Sequence, residues 1–158
     1  MNYDQFKNLS CYEEFEIQCT LAGVSKIDVL KKFGNKINKY YYFISEDGIF
    51  NWFNLKGNHI KDPGVLKEIN ELHIPENITK CVIPNSVKNI DFKAFAYCEL
   101  LTSITIPNNA KIINAYVFWL CDSLKEVVFK GKTLEEVKRM KYYPFGIADE
   151  NIIKVSEI

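Results

Sequence analysis

Residues 81 to 126 repeat. CVIPNSVKNIDFKAFAYCELLTS (81–103) aligns without a gap on ITIPNNAKIINAYVFWLCDSLKE (104–126), a period of 23 residues. Ile83 falls on Ile106, Pro84 on Pro107, Asn85 on Asn108, Lys88 on Lys111, Ile90 on Ile113, Phe95 on Phe118, Cys98 on Cys121 and Leu101 on Leu124. VVFK (127–130) continues the register, with Val127 under Ile104 and Phe129 under Ile106, while LHIP (72–75) comes too close before the first unit and reads as a shortened coil or cap. A unit this short cannot bury its own apolar face, so units must stack and share one core. Stacking puts Leu72, Cys81, Ile104 and Val127 on one inward ladder and Ile74, Ile83, Ile106 and Phe129 on another. Pro75, Pro84 and Pro107 end each strand, because proline has no N–H to extend a ladder. His73, Val82, Thr105 and Val128 alternate with the inward residues and line the open face of the strands.

The run IPNSVKNIDFKAFAYCELLTSITIPNNAKIINAYVFWLCDSLKEVVF, with its recurring strand, I-P, phenylalanine and cysteine columns, resembles the BspA-type branch of leucine-rich repeats over about 72–130. It departs from that pattern in the second unit, where Val117 stands for the alanine of the A-F pair and Ala110 for the valine. The resemblance implies a solenoid used for macromolecular recognition rather than chemistry. After the last strand, Thr133 and Glu136 form a capping box opening a short helix at 133–141, Pro144 stops it, and Ile152, Ile153 and Val155 predict a final strand. Such a terminal unit hides the last coil's apolar edge.

The first sixty residues follow other rules. Ser10 with Glu13 reads as a capping box for a helix carrying Tyr12, Phe15, Ile17 and Cys19 and ending at Gly23; Ser25 with Asp28 opens a second, KIDVLKKF, ended by Gly34. YYYFIS (40–45), the turn Glu46-Asp47-Gly48 and IFNWFNL (49–55) read as a β-hairpin. One face of that ribbon is expected against the helices; the other would expose Tyr41, Phe43 or Trp52, and rigid aromatics dominate binding energy at interfaces. Trp119 takes a place that is usually small or polar in such units and is expected as a further anchor. NLKGNHIKDPG marks a linker, with a turn of helix expected at 65–70.

CTLAGVSKIDVL also resembles a helix-turn-helix over 15–33, which would imply that Lys26, Ile27 and Lys31 face the major groove with the hairpin as a wing. Against it stand an acidic first helix (Glu13, Glu14, Glu16), equal numbers of lysines and acids in residues 1–60, no arginine there to read guanine, and Lys32 at an expected apolar position.

Twenty basic and twenty acidic residues give zero net charge, so no field over the whole chain attracts nucleic acid or an anionic membrane. With no basic start before an apolar stretch and no span-length apolar run, the chain reads as cytoplasmic. Five cysteines without a CxxC pair suit neither a disulfide framework nor a zinc site, so no metal and no cofactor is expected. FKGKT imitates a phosphate-binding loop between strand and helix, but Glu126 stands where its first glycine must be. The pairs Glu13/Glu14 and Glu135/Glu136 point about 100° apart on their helices and cannot converge on one atom.

The expected fold is therefore α+β. It has an N-terminal helix-helix-β-hairpin unit (1–58), a linker or N-terminal cap (59–70), a short leucine-rich-repeat solenoid (71–130) and a helix-strand C-terminal cap (131–158). The expected function is non-catalytic, with no small-molecule substrate and no membrane: binding of another protein through Tyr41, Phe43, Trp52, Thr105, Val128 and Trp119. It would act as an adaptor, or as an inhibitor of the kind a phage makes against a host defence protein. The alternative is a DNA-binding regulator using Lys26, Ile27 and Lys31.

Overall fold

In the computed structural model, which describes residues 1–69, 78–92 and 94–157, the chain divides into two compact units, Met1–Val65 and Leu66–Ile158. The first opens with α1 (Tyr3–Lys7), which the sequence pattern had not marked: Asn2 and Gln5 cap it reciprocally at 2.9 Å each. Helix α2 (Tyr12–Ala22) starts one residue later than the Ser10/Glu13 pattern implies. Cys11 is its N-cap, and Glu14 reaches back to the Ser10 N–H at 2.8 Å and to its hydroxyl. Gly23 ends it at φ +66°. Ser25 caps α3 (Lys26–Phe33) from the Asp28 N–H, and Gly34 closes it.

A four-stranded antiparallel sheet follows in chain order: β1 (Asn35–Ile37), β2 (Tyr40–Ile44), β3 (Phe50–Asn54) and β4 (His59–Ile60). The expected hairpin is β2–β3, with Tyr42 opposite Trp52 and Gly48 at φ +86° in its turn. The turn is tied to the start of α2, because Glu46 and Asp47 donate to the Leu9 and Ser10 carbonyls. Phe6, Leu9, Phe15, Cys19, Val29, Leu30, Phe43 and Phe53 form the core of this unit.

The second unit is the solenoid. Strands β6 (Lys80–Val82), β8 (Ser103–Ile106), β10 (Glu126–Lys130) and β11 (Ile153–Ser156) form one parallel sheet in the order β11-β10-β8-β6. The expected register holds: Cys81 pairs with Ile104 and Ile104 with Val127, and Ile83, next to Ile106, donates its N–H to the Thr105 carbonyl at 3.0 Å. The cap strand adds a further rung, Ile153 beside Val127 and Val155 beside Phe129. Leu72 and Ile74, read as the first members of these ladders, and His73 on the open face lie outside the described residues.

Each coil also contributes a two-residue strand to a second parallel sheet, β5 (Glu68–Ile69), β7 (Asn89–Ile90) and β9 (Ile112–Ile113), which buries Ile69, Ile90 and Ile113 as a column. Residues 68–69 are thus strand, not the expected helical turn; their backbone is recruited by the coil above, whose Lys88 and Asn89 N–H groups both bond the Lys67 carbonyl. Within 59–70, read from the sequence as a linker, β4 also pairs with β3. Phe95 and Phe118 stack at 5.8 Å in the solenoid core, and Thr133 and Glu136 form the capping box of α4 (Leu134–Lys138).

Candidate protein-interaction surface

Between the two sheets each coil returns through a series of tight turns. Asp91 accepts from the Ala94 N–H and Phe95 from Cys98; one period later Asn114 accepts from Val117 and Phe118 from Cys121. The turns drive Ala94, Phe95, Val117 and Phe118 inward, where they are buried. By the same geometry they push the intervening side chains out. Phe92, Tyr116 and Trp119 stand 47%, 48% and 43% exposed, and they touch: Tyr116 meets Phe92 and Trp119 edge-on, each at 5.7 Å. Tyr97 and Leu120, one period apart, are exposed beside them in sequence, both in left-handed backbone (φ +63° and +57°).

The backbone under this cluster is fixed. The Trp119 carbonyl accepts from the Tyr97 N–H at 2.9 Å and its N–H donates to Tyr116 at 3.2 Å. Gly146, at φ +84°, fits so closely that a Cβ there would come within 3.0 Å of the Trp119 nitrogen. Rigid, solvent-facing rings on an ordered backbone lose little entropy on binding.

The outward face of the long sheet is different. Val82, Thr105 and Val128 lie side by side, all half-buried, with exposed Lys154 at the end of the row. Ser103 donates to Glu126 across it at 3.2 Å. Thr105 and Val128 are therefore adjacent, as the period predicts, on a surface of short side chains.

The hairpin aromatics occupy other positions than expected. Phe43 is buried between Phe6, Phe15 and Phe53, with ring separations of 5.2, 5.0 and 5.9 Å. Trp52, on the opposite face, is buried too and lies 5.0 Å from Tyr42 and 6.1 Å from Phe50. Tyr41 is half-buried beneath the Lys36 ammonium. The expectation of an open hairpin face fails for Phe43 and Trp52 because both faces of the ribbon carry aromatics that pack.

Lys26 and Ile27, which a DNA-reading helix needs in solvent, are half-buried. Lys26 bonds the Tyr12 hydroxyl at 3.3 Å and covers its ring, while Ile27 sits against the β3–β4 turn, where a Cβ on Gly57 would come within 3.0 Å of it. Lys31 is exposed. His59 stacks on the Tyr12 ring with centroids 3.8 Å apart, and burial together with the Lys26 charge lowers its pKa.

Two thiols of the solenoid, Cys121 of the repeated column and Cys81 of the strand ladder, are held above their ordinary range. Burial pushes Cys121 up to about 12, and its thiol donates to the Phe95 carbonyl at 2.9 Å; burial raises Cys81 as well. Among the described residues no three His, Cys, Asp or Glu side chains are grouped to hold a metal ion, and no helix is long and apolar enough to cross a membrane.

With two parallel ladders joined by a phenylalanine-cysteine return, the architecture can be set beside known families. The model of the BspA type leucine-rich repeat region (6 copies) matches residues 46–148. The chain belongs to this family. No curated protein and no solved structure matches it. The matched span is longer than the 72–130 legible from the repeat, and takes in strand β3 of the antiparallel sheet. Leucine-rich repeats generally mediate protein–protein interaction, which supports a binding module here.

Of the residues expected in the site, the solenoid brings Thr105 and Val128 together on one face and places Trp119 in the aromatic cluster. Phe92, Tyr116, Tyr97 and Leu120 were missed. For Tyr116 the signal was present: it aligns with Lys93 just as Trp119 aligns with Ala96, aromatics replacing polar or small residues in the second unit. Phe92 aligns with Ala115 and gave no such signal.

Proposed function

We propose that the chain acts without chemistry, by covering a surface of another protein, as an adaptor or an inhibitor, and that Phe92, Tyr116 and Trp119 are its principal anchors. The observation that carries this reading is the contact between three half-exposed rings on turns held by inter-coil hydrogen bonds. Aromatic residues that are rigid before binding contribute more than others to interface energy, often more than about 2 kcal/mol each when truncated. The row Val82–Thr105–Val128 offers a flatter second surface, which would add complementarity rather than anchor energy.

The test compares the tagged chain with a Tyr116→Ala/Trp119→Ala double variant in affinity purification from the native host, with thermal melting as a folding control. A partner retained by the wild type and lost by the double variant at unchanged melting temperature is the expected result. A partner held equally by both, but released by Thr105→Lys, would move the site to the sheet face and reject the aromatic anchors.

A further inference from the structure

Among the described residues, strand β11 pairs on one side only, with β10. The direction of its free hydrogen-bonding groups is fixed by one bond: the Gly131 N–H donates to the Ser156 carbonyl at 2.8 Å. N–H and C=O of one strand residue point to the same side, and sides alternate along the strand. Lys154 and Ser156 therefore face β10, while Ile153 and Val155 aim their backbone groups away from it. The Ile153 N–H is taken by the Glu150 carbonyl. This leaves the Val155 N–H and the carbonyls of Ile153 and Val155 facing outward. The apolar ladder is open at the same place: Ile83, Ile106 and Phe129 are buried, but Val155, the next member, is 40% exposed, as is Leu134, and both line an open groove with Gly131, Thr133 and Glu157.

We propose that this edge pairs with the same edge of a second copy of the chain, antiparallel about a two-fold axis at Val155, to make a dimer. The occupant follows from the register. Pairing centred on Val155 sets Val155 opposite the second copy's Val155, Lys154 opposite its Ser156 and Ile153 opposite its Glu157. The outward backbone groups lie on odd-numbered residues, and in this register every odd residue meets an odd one. The two Val155 residues exchange a pair of N–H···O=C bonds, and each Glu157 N–H reaches the Ile153 carbonyl across the axis. No lysine stands directly opposite a lysine and no acid opposite an acid, a pairing that would be destabilising. On the core side, the two Val155 side chains meet and continue each other's apolar column. Exposed strand edges are templates for such pairing, and a self-complementary patch closes as a two-fold dimer. This inference does not depend on the proposed anchors, which lie on the return segments.

Sedimentation velocity on the full chain at roughly 0.1 mM, where even weak association registers, should give twice the 18.4 kDa chain mass. Val155→Pro removes the central donor and should give a monomer with unchanged far-ultraviolet circular dichroism. Val155→Lys keeps the N–H but sets two lysines face to face; it should weaken association by about tenfold, and it carries the test if the proline variant does not fold. A monomeric wild type, open-ended growth beyond a dimer, or a dimer that Val155→Lys leaves unweakened would overturn the proposal.

Discussion

Tyr97 and Leu120 hold the same left-handed backbone one period apart, and the ring and side chain concerned point into solvent. Left-handed backbone costs a residue with a Cβ roughly 1–2 kcal/mol, part of which glycine would give back in its greater unfolded-state entropy. Tyr97→Gly should therefore stabilise the fold by about 0.5–1 kcal/mol, read as a higher urea midpoint at unchanged m-value; a lower midpoint would mean that the ring's packing outweighs the strain. Single residues were the least legible scale. Trp119 could be found because the repeat pattern supplies a control: that place is usually small or polar in such units. Phe43 and Trp52 had no such control. Nothing along the chain told that both faces of the ribbon would be covered.

At the scale of elements, helices α2, α3 and α4 and the pairs β2–β3 and β8–β10 were legible from caps, glycine stops and alternation. Four of the misses share a physical cause. β4, β5, β7 and β9 are two residues each, too short to show alternation, and they exist because a neighbouring strand or coil supplies hydrogen-bond partners. Packing between coils is equally invisible along the chain. Gly146 is the sharpest case, since its Cα hydrogen faces the backbone of Tyr116 and Trp119. Gly146→Ala combines a left-handed residue with a contact on unyielding backbone and should cost at least about 2 kcal/mol. The check is chemical denaturation alongside the Tyr97→Gly variant, and a neutral result would mean that the return segment of the second coil can move aside.

For the molecule as a whole, the claim on which the surface, the anchors and the dimer edge all rest is that consecutive units stack in parallel at a register of 23 residues. That claim was legible from the sequence, because eight columns of identity in register can be satisfied together only by stacking, whereas the antiparallel unit before it had no repeat to announce its outer strands. Scalar couplings measured by NMR across hydrogen bonds test the register directly. Couplings are expected from the Ile83 N–H to the Thr105 carbonyl, from Lys111 to Lys88 and from Gly131 to Ser156. Couplings to carbonyls displaced by a residue or more, or an antiparallel pattern between residues 80–83 and 103–106, would contradict it.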